Sequence, residues 1–187
     1  MISFISGTVS SIEGNSVVIE LPGAGIGITV TVSASVLSNL FIGEKYQLKT
    51  EFIVREDGWH LYGFNSEEER TWFRYLHSIS GIGPKTAMAT LSVLGVAGLV
   101  SAISSEDEAA LVEVPGLGKK SAGRIVLELR DKAKVNHSEN AHVDVIAALI
   151  NLGWNEKIAR QTISEISEEG LSTADLLRSA LSRLAKR

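Results

Sequence analysis

The segment Val114-Pro115-Gly116-Leu117-Gly118-Lys119-Lys120-Ser121-Ala122 repeats, 35 positions on, the frame of Ile79-Ser80-Gly81-Ile82-Gly83-Pro84-Lys85-Thr86-Ala87. Both copies read apolar-x-Gly-apolar-Gly-x-Lys-Ser/Thr-Ala. Each follows a helical pattern and opens another, which makes each a helix-hairpin-helix. The paired glycines permit positive φ and leave backbone N–H groups uncovered. Ile82 and Leu117 anchor the hairpins to a core. The helix that starts at once adds its free amides and the positive end of its dipole. The product is an anion site, and phosphate is the anion that fits. Pro84 suits a first helical turn, where no N–H partner is lost. Lys85, Lys119 and Lys120 add formal charge beside the amides, and Arg124 lies one turn on, within reach of a neighbouring phosphate. Nothing in the frame reads a base edge, so the expected binding is sequence-independent and salt-sensitive. A single copy is equally a tight helix–helix turn closed by glycine. The repetition of the glycine and lysine positions is what argues for a site.

Two look-alikes are excluded. A nucleotide P-loop needs Gly-x-x-x-x-Gly-Lys-Ser/Thr after a strand, and neither copy follows a strand. A dinucleotide fingerprint needs a third glycine, where this chain has Thr86 and Ser121. ATP hydrolysis by this chain alone is not expected.

Working outward, the pattern before residue 65 reads as strands. Ile2–Val9, Ser16–Leu21, Ile26–Val32, Tyr46–Val54 and Trp59–Phe64 are rich in β-branched and aromatic residues. Turn signals separate them, the strongest being Asp57-Gly58, whose turn needs positive φ. Five short strands predict a small closed barrel, for which the five-stranded OB-fold is the natural candidate. At Ser66 the pattern turns helical. Ser66 with Glu69 forms a capping box, and Trp72, Phe73, Leu76 and Ile79 follow at helical spacing, with Trp72 and Phe73 expected in the core. Breaks are expected at 81–84, near Gly95, at Ser104-Ser105 and at 115–118, with Ser105 and Glu108 as a second capping box.

Residues 135–141 are polar and aperiodic and read as a linker. Three short helices are expected beyond it. The first carries Val145, Ile146, Leu149, Ile150 and Leu152 and ends at Gly153. The second is capped by Asn155, carries Ile158, Ala159, Thr162, Ile163 and Ile166, and ends at Gly170. The third opens at Ser172 or Thr173 and carries Leu176, Leu177, Ala180, Leu181 and Leu184. The fold expected is therefore multidomain. Residues 1–64 form a barrel, 65–134 a tandem hairpin domain, 135–141 a linker and 142–187 a three-helix bundle of UBA-like kind.

The net charge of −4 alone argues against a nucleic-acid binder. Its distribution argues otherwise. Between 115 and 134 stand Lys119, Lys120, Arg124, Arg130, Lys132 and Lys134 against only Glu128 and Asp131. Screening limits each charge to about 8–10 Å, so a local basic cluster can hold phosphate on an acidic protein. There are no cysteines, which removes disulfides and thiolate metal sites and fits a reducing, cytoplasmic interior. The four histidines, at 60, 77, 137 and 142, have no metal-ligand spacing, so neither metal nor cofactor is expected. The start of the chain has no secretory pattern, and no uninterrupted apolar run is long enough to span a membrane.

Together the strand-rich opening, the segment Val54-Arg55-Glu56-Asp57-Gly58 leading into Leu61-Tyr62-Gly63-Phe64, the two hairpins and the three-helix tail resemble the RuvA family over the whole chain. The resemblance implies a non-catalytic scaffold that binds four-way (Holliday) DNA junctions in recombination and repair. It implies a flat homotetramer, with an octamer as the alternative. The tail would bind the RuvB ATPase, a ring motor that drives branch migration, and the RuvC resolvase would join. DNA contacts would fall on Gly81, Gly83, Lys85, Gly116, Gly118, Lys119, Lys120, Arg124 and Arg55. Glu56 and Asp57 would form an acidic pin at the crossover. Leu149, Leu152 and Trp154 would contact the motor, with tryptophan at 154 where tyrosine is common. Trp59 and His60, beyond the pin, face either the barrel interior or a subunit interface. Trp154 is read equally as core or as a partner anchor.

Two other classes are disfavoured. A hairpin glycosylase or nuclease would place its acid on Glu128 or Asp131, which lie on a charged helix with no pocket signature. A single-strand binder would need a basic, aromatic barrel groove, whereas residues 1–64 carry 3 basic and 6 acidic side chains.

Overall fold

The computed structural model describes residues 2–56, 58–166 and 173–184, with the backbone alone for 135–141. The chain divides into two compact units, Met1–Glu128 and Leu129–Arg187. In the first unit, β1 (Phe4–Glu13), β2 (Ser16–Leu21), β3 (Ile26–Val32), β4 (Lys45–Arg55) and β5 (Gly58–Phe64) close a barrel in the order β1-β2-β3-β5-β4. Only β3 and β5 pair in parallel, through Thr31↔Tyr62 and Val32↔Gly63. This is the five-stranded OB arrangement, in which closure leaves no long free edge. A short helix, α1 (Ala34–Leu37), precedes β4. Alternation puts Ile5, Val9, Val17, Ile19, Val30, Val32, Leu48 and Leu61 in the barrel core. Gly63 faces inward at the narrow parallel seam, where a Cβ would stand 2.7 Å from a methyl of Val30.

Helices α2 (Glu67–Ser78), α3 (Pro84–Ser104) and α4 (Glu108–Val112) and the start of α5 (Lys119–Asn151) form the hairpin region. Trp72 and Phe73 are fully buried, as expected. By length and composition alone α3 would cross a membrane. Gly95 interrupts it with φ 63° and ψ 179°, and Ala87, Met88, Leu91, Leu99, Val100 and Ile103 are buried. It is the core helix of the hairpin region.

Two local readings are corrected. Ser105 does not cap α4. It ends α3, donating its hydroxyl to the Ser101 carbonyl at 2.8 Å. Glu106 then turns the chain at φ 57°, and the Asp107 carboxylate accepts from the Ala110 amide at 3.1 Å. Residues 135–141 are not irregular, because the helix α5 runs through them. The segment Val-Asn-His-Ser-Glu-Asn-Ala holds neither glycine nor proline, so nothing in it stops a helix already under way.

In the second unit the end of α5, α6 (Glu156–Ile166) and α7 (Thr173–Leu184) enclose Val145, Leu149, Ala159, Ile163, Leu176, Ala180 and Leu184. Gly153 ends α5 at φ 94° and the Asn155 side chain caps α6 through the Lys157 amide at 2.9 Å, as expected. Leu152 is exposed rather than on the core stripe, although its amide still bonds to the Ala148 carbonyl at 3.0 Å. Ile150 and Ile158 also lie outside the core. Gly170 and Ser172 lie outside the described residues.

The barrel and α2 are held together by polar bonds as well as packing. The Ser66 hydroxyl accepts from the Glu69 amide at 3.0 Å, so α2 is capped as expected. The Glu69 carboxylate does not return the bond to Ser66. It accepts from the Ser33 hydroxyl at 2.8 Å, the Ser35 hydroxyl at 3.3 Å and the Asn65 amide at 3.0 Å. The next residue, Arg70, donates to the carbonyls of Ser3 at 2.9 Å and Thr50 at 3.2 Å, and about one turn on Arg74 pairs with Glu51 at 2.6 Å. Truncating Glu69 takes the acceptor from one buried donor, the Ser33 hydroxyl, at about 1–3 kcal/mol, and from two part-buried ones at less. Glu69→Ala is therefore expected to lower the stability of the first unit by about 2–4 kcal/mol in a denaturant titration, while Glu68→Ala, on the exposed side of α2, changes it by about 0.5 kcal/mol or less.

Candidate nucleic-acid interface

The two hairpins share three backbone bonds. Leu76 O accepts from the Ile79 amide, Ile79 O from Ile82 at 3.0 Å, and Gly83 O from Ala87 at 2.9 Å. In the second copy Leu111 O accepts from Val114, Val114 O from Leu117 at 3.0 Å, and Gly118 O from Ala122 at 3.0 Å. Gly81 and Gly116 turn the chain at φ 90° and 87°, a conformation that side chains with a Cβ rarely adopt. Ile82 and Leu117 are buried and pin the loops from below.

The second glycine of each pair is different. Gly83 has an ordinary extended backbone, φ −83° and ψ 168°, and Gly118 is also outside the positive-φ region. A Cβ on either would meet no protein atom within 4 Å. The fold itself has room for a side chain at both positions. What glycine preserves there is bare backbone on the outer surface, which suits the close approach of a ligand. The amides of Gly81, Gly83, Gly116 and Gly118 have no acceptor among the described residues. They stand beside the first turns of α3 and α5, whose amides lack intrahelical partners.

The copies also touch. Arg124 donates to the Ser80 carbonyl of the first hairpin at 2.7 Å and lies 3.7 Å from Glu128. Gly116 packs over Thr86. A shallow cleft between the copies is lined by Ser80, Gly81, Lys120, Ser121 and Arg124. Arg124 thus has a second task that the sequence did not show, the joining of one hairpin to the other. Lys85, Lys119 and Lys120 are exposed and form no ion pair among the described residues. Lys85 lines a wider cleft between α3 and the barrel, with His60, Tyr62 and Asn15. No group of three or more potential metal ligands occurs among the described residues.

The β4–β5 hairpin ends in the pair Arg55↔Gly58, with Glu56 in the turn and exposed. Asp57 lies outside the described residues. Arg55 is exposed beside the turn, and Trp59 is 79% exposed, outside the barrel core, with Phe52 edge-on to its ring and Val54 across the ladder. In the tail, Leu149 is fully buried in the bundle core, Leu152 is 62% exposed, and Trp154 is half-buried against the core. Of these three, Leu149 shapes the corner from inside and only the other two present surface.

The RuvA N-terminal domain matches residues 1–63, the SAM-like helix-hairpin-helix tandem 73–131, and the RuvA C-terminal domain 140–185. A protein of Corynebacterium aurimucosum named Holliday junction branch migration complex subunit RuvA is 38% identical, with 98% of each chain covered. Proteins of the same name from an Acidovorax strain and from Mycobacterium avium are 39% and 41% identical, with 99–100% of each chain covered. The chain belongs to the RuvA family. The OB barrel, the hairpin tandem and the three-helix tail are that family's parts in that order.

The glycine argument makes a separable prediction. Gly83→Ala and Gly118→Ala are each expected to cost about 1 kcal/mol of stability, since alanine is a poorer residue than glycine just before a helix, while both variants stay folded. Together they should weaken duplex DNA binding tenfold or more in a fluorescence-anisotropy titration. Unchanged DNA affinity of the folded double variant would reduce the hairpins to turns.

Proposed function

We propose that this chain is a non-catalytic scaffold that binds four-way DNA junctions without reading sequence and delivers a ring ATPase to them for branch migration. The observation that supports it most is the pair of open second glycines, each with lysine within two residues, on hairpins that share three backbone bonds. Two such notches side by side follow two stretches of sugar–phosphate backbone. The DNA contacts are Gly81, Gly83, Lys85, Gly116, Gly118, Lys119 and Lys120, with Arg124 lining the cleft between the hairpins and Arg55 beside the tip. Glu56 and Asp57 form the acidic pin. A carboxylate about 4–6 Å from a phosphate is repelled by on the order of 1–4 kcal/mol in intermediate dielectric. Four tips gathered around an axis therefore part strands instead of gripping them.

Four tips require four copies. Phe4, Ile26, Phe41 and Ile42 are each more than half exposed on the barrel and its loops, an apolar surface that supports self-association as a homotetramer. The domains in this reading are 1–64, 65–134 and 142–187, the last joined through 135–141. The RuvB-type motor docks on the tail near Leu152 and Trp154, and a RuvC-type resolvase shares the junction. The setting is the cytoplasm, in recombination and repair.

A gel-shift comparison at matched salt tests the scaffold. The four-way junction is expected to bind at least tenfold more tightly than linear duplex of equal length, with both affinities falling steeply as salt rises. Equal affinity removes the junction reading. Glu56→Ala with Asp57→Ala should leave junction binding intact or tighter while altering branch migration, and a loss of affinity would mean that the tip grips DNA. Removal of residues 142–187 should spare junction binding and abolish stimulation of the motor, measured as ATP-driven migration.

A further inference from the structure

The β4–β5 arm carries an apolar surface that the hairpins and the acidic tip do not explain. Strand alternation places Leu48, Thr50, Phe52 and Val54 on one face of β4, opposite Gly63, Leu61 and Trp59 of β5. At the level of the barrel this face is interior, with Leu48 and Thr50 buried and Leu61 at 7% exposure. Beyond the barrel the same face is uncovered. Val54 is 63% exposed and its cross-strand partner Trp59 is 79% exposed. Phe52 supports the indole edge-to-face, with ring centroids 5.8 Å apart. Arg55 comes next after Val54, so alternation puts it on the other face of the arm, and Glu56 stands at the turn between. The arm thus presents a flat aromatic ring on one side, a cation on the other and a carboxylate at its end.

We propose that Trp59 is a stacking platform for one unpaired nucleobase at the crossover of the bound junction. The inference rests on the junction reading above. Charge chooses the occupant. The Glu56 carboxylate turns phosphates away from the tip, so the part of a parted strand that meets the arm end-on is its base. An exposed indole braced by a second ring takes any base by its π-face, without sequence preference. Arg55, on the opposite face, is placed to hold the backbone of the strand that passes the other side. The tip separates the pair and Trp59 takes up the base set free, which lowers the cost of keeping the crossover open.

The test uses full-length protein and synthetic four-way junctions carrying 5-iodouracil either at the crossover or within an arm, irradiated in the complex. The expected result is a crosslink to Trp59 from the crossover position alone. Trp59→Ala should lose it and weaken junction binding about tenfold, with linear-duplex affinity changed less than twofold. Trp59→Phe, which keeps a ring, should retain most of both. Junction preference without a crossover crosslink overturns this inference and leaves the junction reading standing. Absence of junction preference in the unaltered protein overturns both. A drop in native mass for Trp59→Ala would assign the ring to contact between copies of the chain and also overturn the proposal.

Discussion

The Glu69 carboxylate is the interaction on which the rest of the first unit depends. It lies in the first turn of α2, 7% exposed, and accepts from Ser33, Ser35 and Asn65. A buried carboxylate loses most of its hydration, which is tolerable only where donors converge on it. Here they come from the end of β3, from α1 and from the end of β5. The positive end of α2 adds to them. Arg70 and Arg74 continue the same seam toward β1 and β4. The helix that leads into the first hairpin is thereby fixed to the barrel that carries the acidic tip. Any mechanism in which hairpins hold arms and a tip parts strands needs that fixed relation, since a hairpin region free to swivel would place phosphates without regard to the tip.

The second constraint is chemical. In the reading proposed above, a chain of net charge −4 binds a polyanion by using neutral groups for contact and charge only locally. Backbone amides at the hairpins are dipoles that act at hydrogen-bond range, so the carboxylates elsewhere on the molecule scarcely weaken them once contact is made. In that reading Lys85, Lys119 and Lys120 would supply the longer-range attraction and with it the salt dependence. Formal negative charge is then left free to work where repulsion is useful, at the tip.

What could be read from the sequence follows the range of each constraint. The hairpins were legible because a glycine at positive φ is a property of one residue, and its repetition 35 positions on is visible without a structure. The barrel was legible from alternation, and its strand limits moved by only a few residues. The Ser66 cap was legible, but the work of Glu69 was not, because its partners Ser33 and Ser35 lie 36 and 34 positions away. Arg124 was read as a phosphate contact, and its bond to Ser80, 44 positions away, was hidden for the same reason. The Ser105 cap failed because a positive φ at Glu106, a residue with a Cβ, leaves no mark in the sequence. The helical form of 135–141 was not legible because polarity marks solvent exposure and not the end of a helix, which needs glycine, proline or a competing cap.

Leu149 shows the limit of carrying a residue's role by position. It was grouped with Leu152 and Trp154 as motor-binding, yet it is buried in the same core as Val145 and Ile163. Positions 145 and 149 share the inner face of α5, and Gly153, at φ 94°, stops the helix. Leu152 keeps its helical bond to Ala148 and is exposed, while the turn at Gly153 brings the Trp154 amide back to the Leu149 carbonyl at 3.0 Å, its ring half against the core. A glycine that ends the helix therefore sets an aromatic ring beside an exposed leucine and makes an apolar corner. The surface offered there is set by backbone geometry as much as by side-chain type, and Leu149 contributes to it by fixing the floor on which the corner rests.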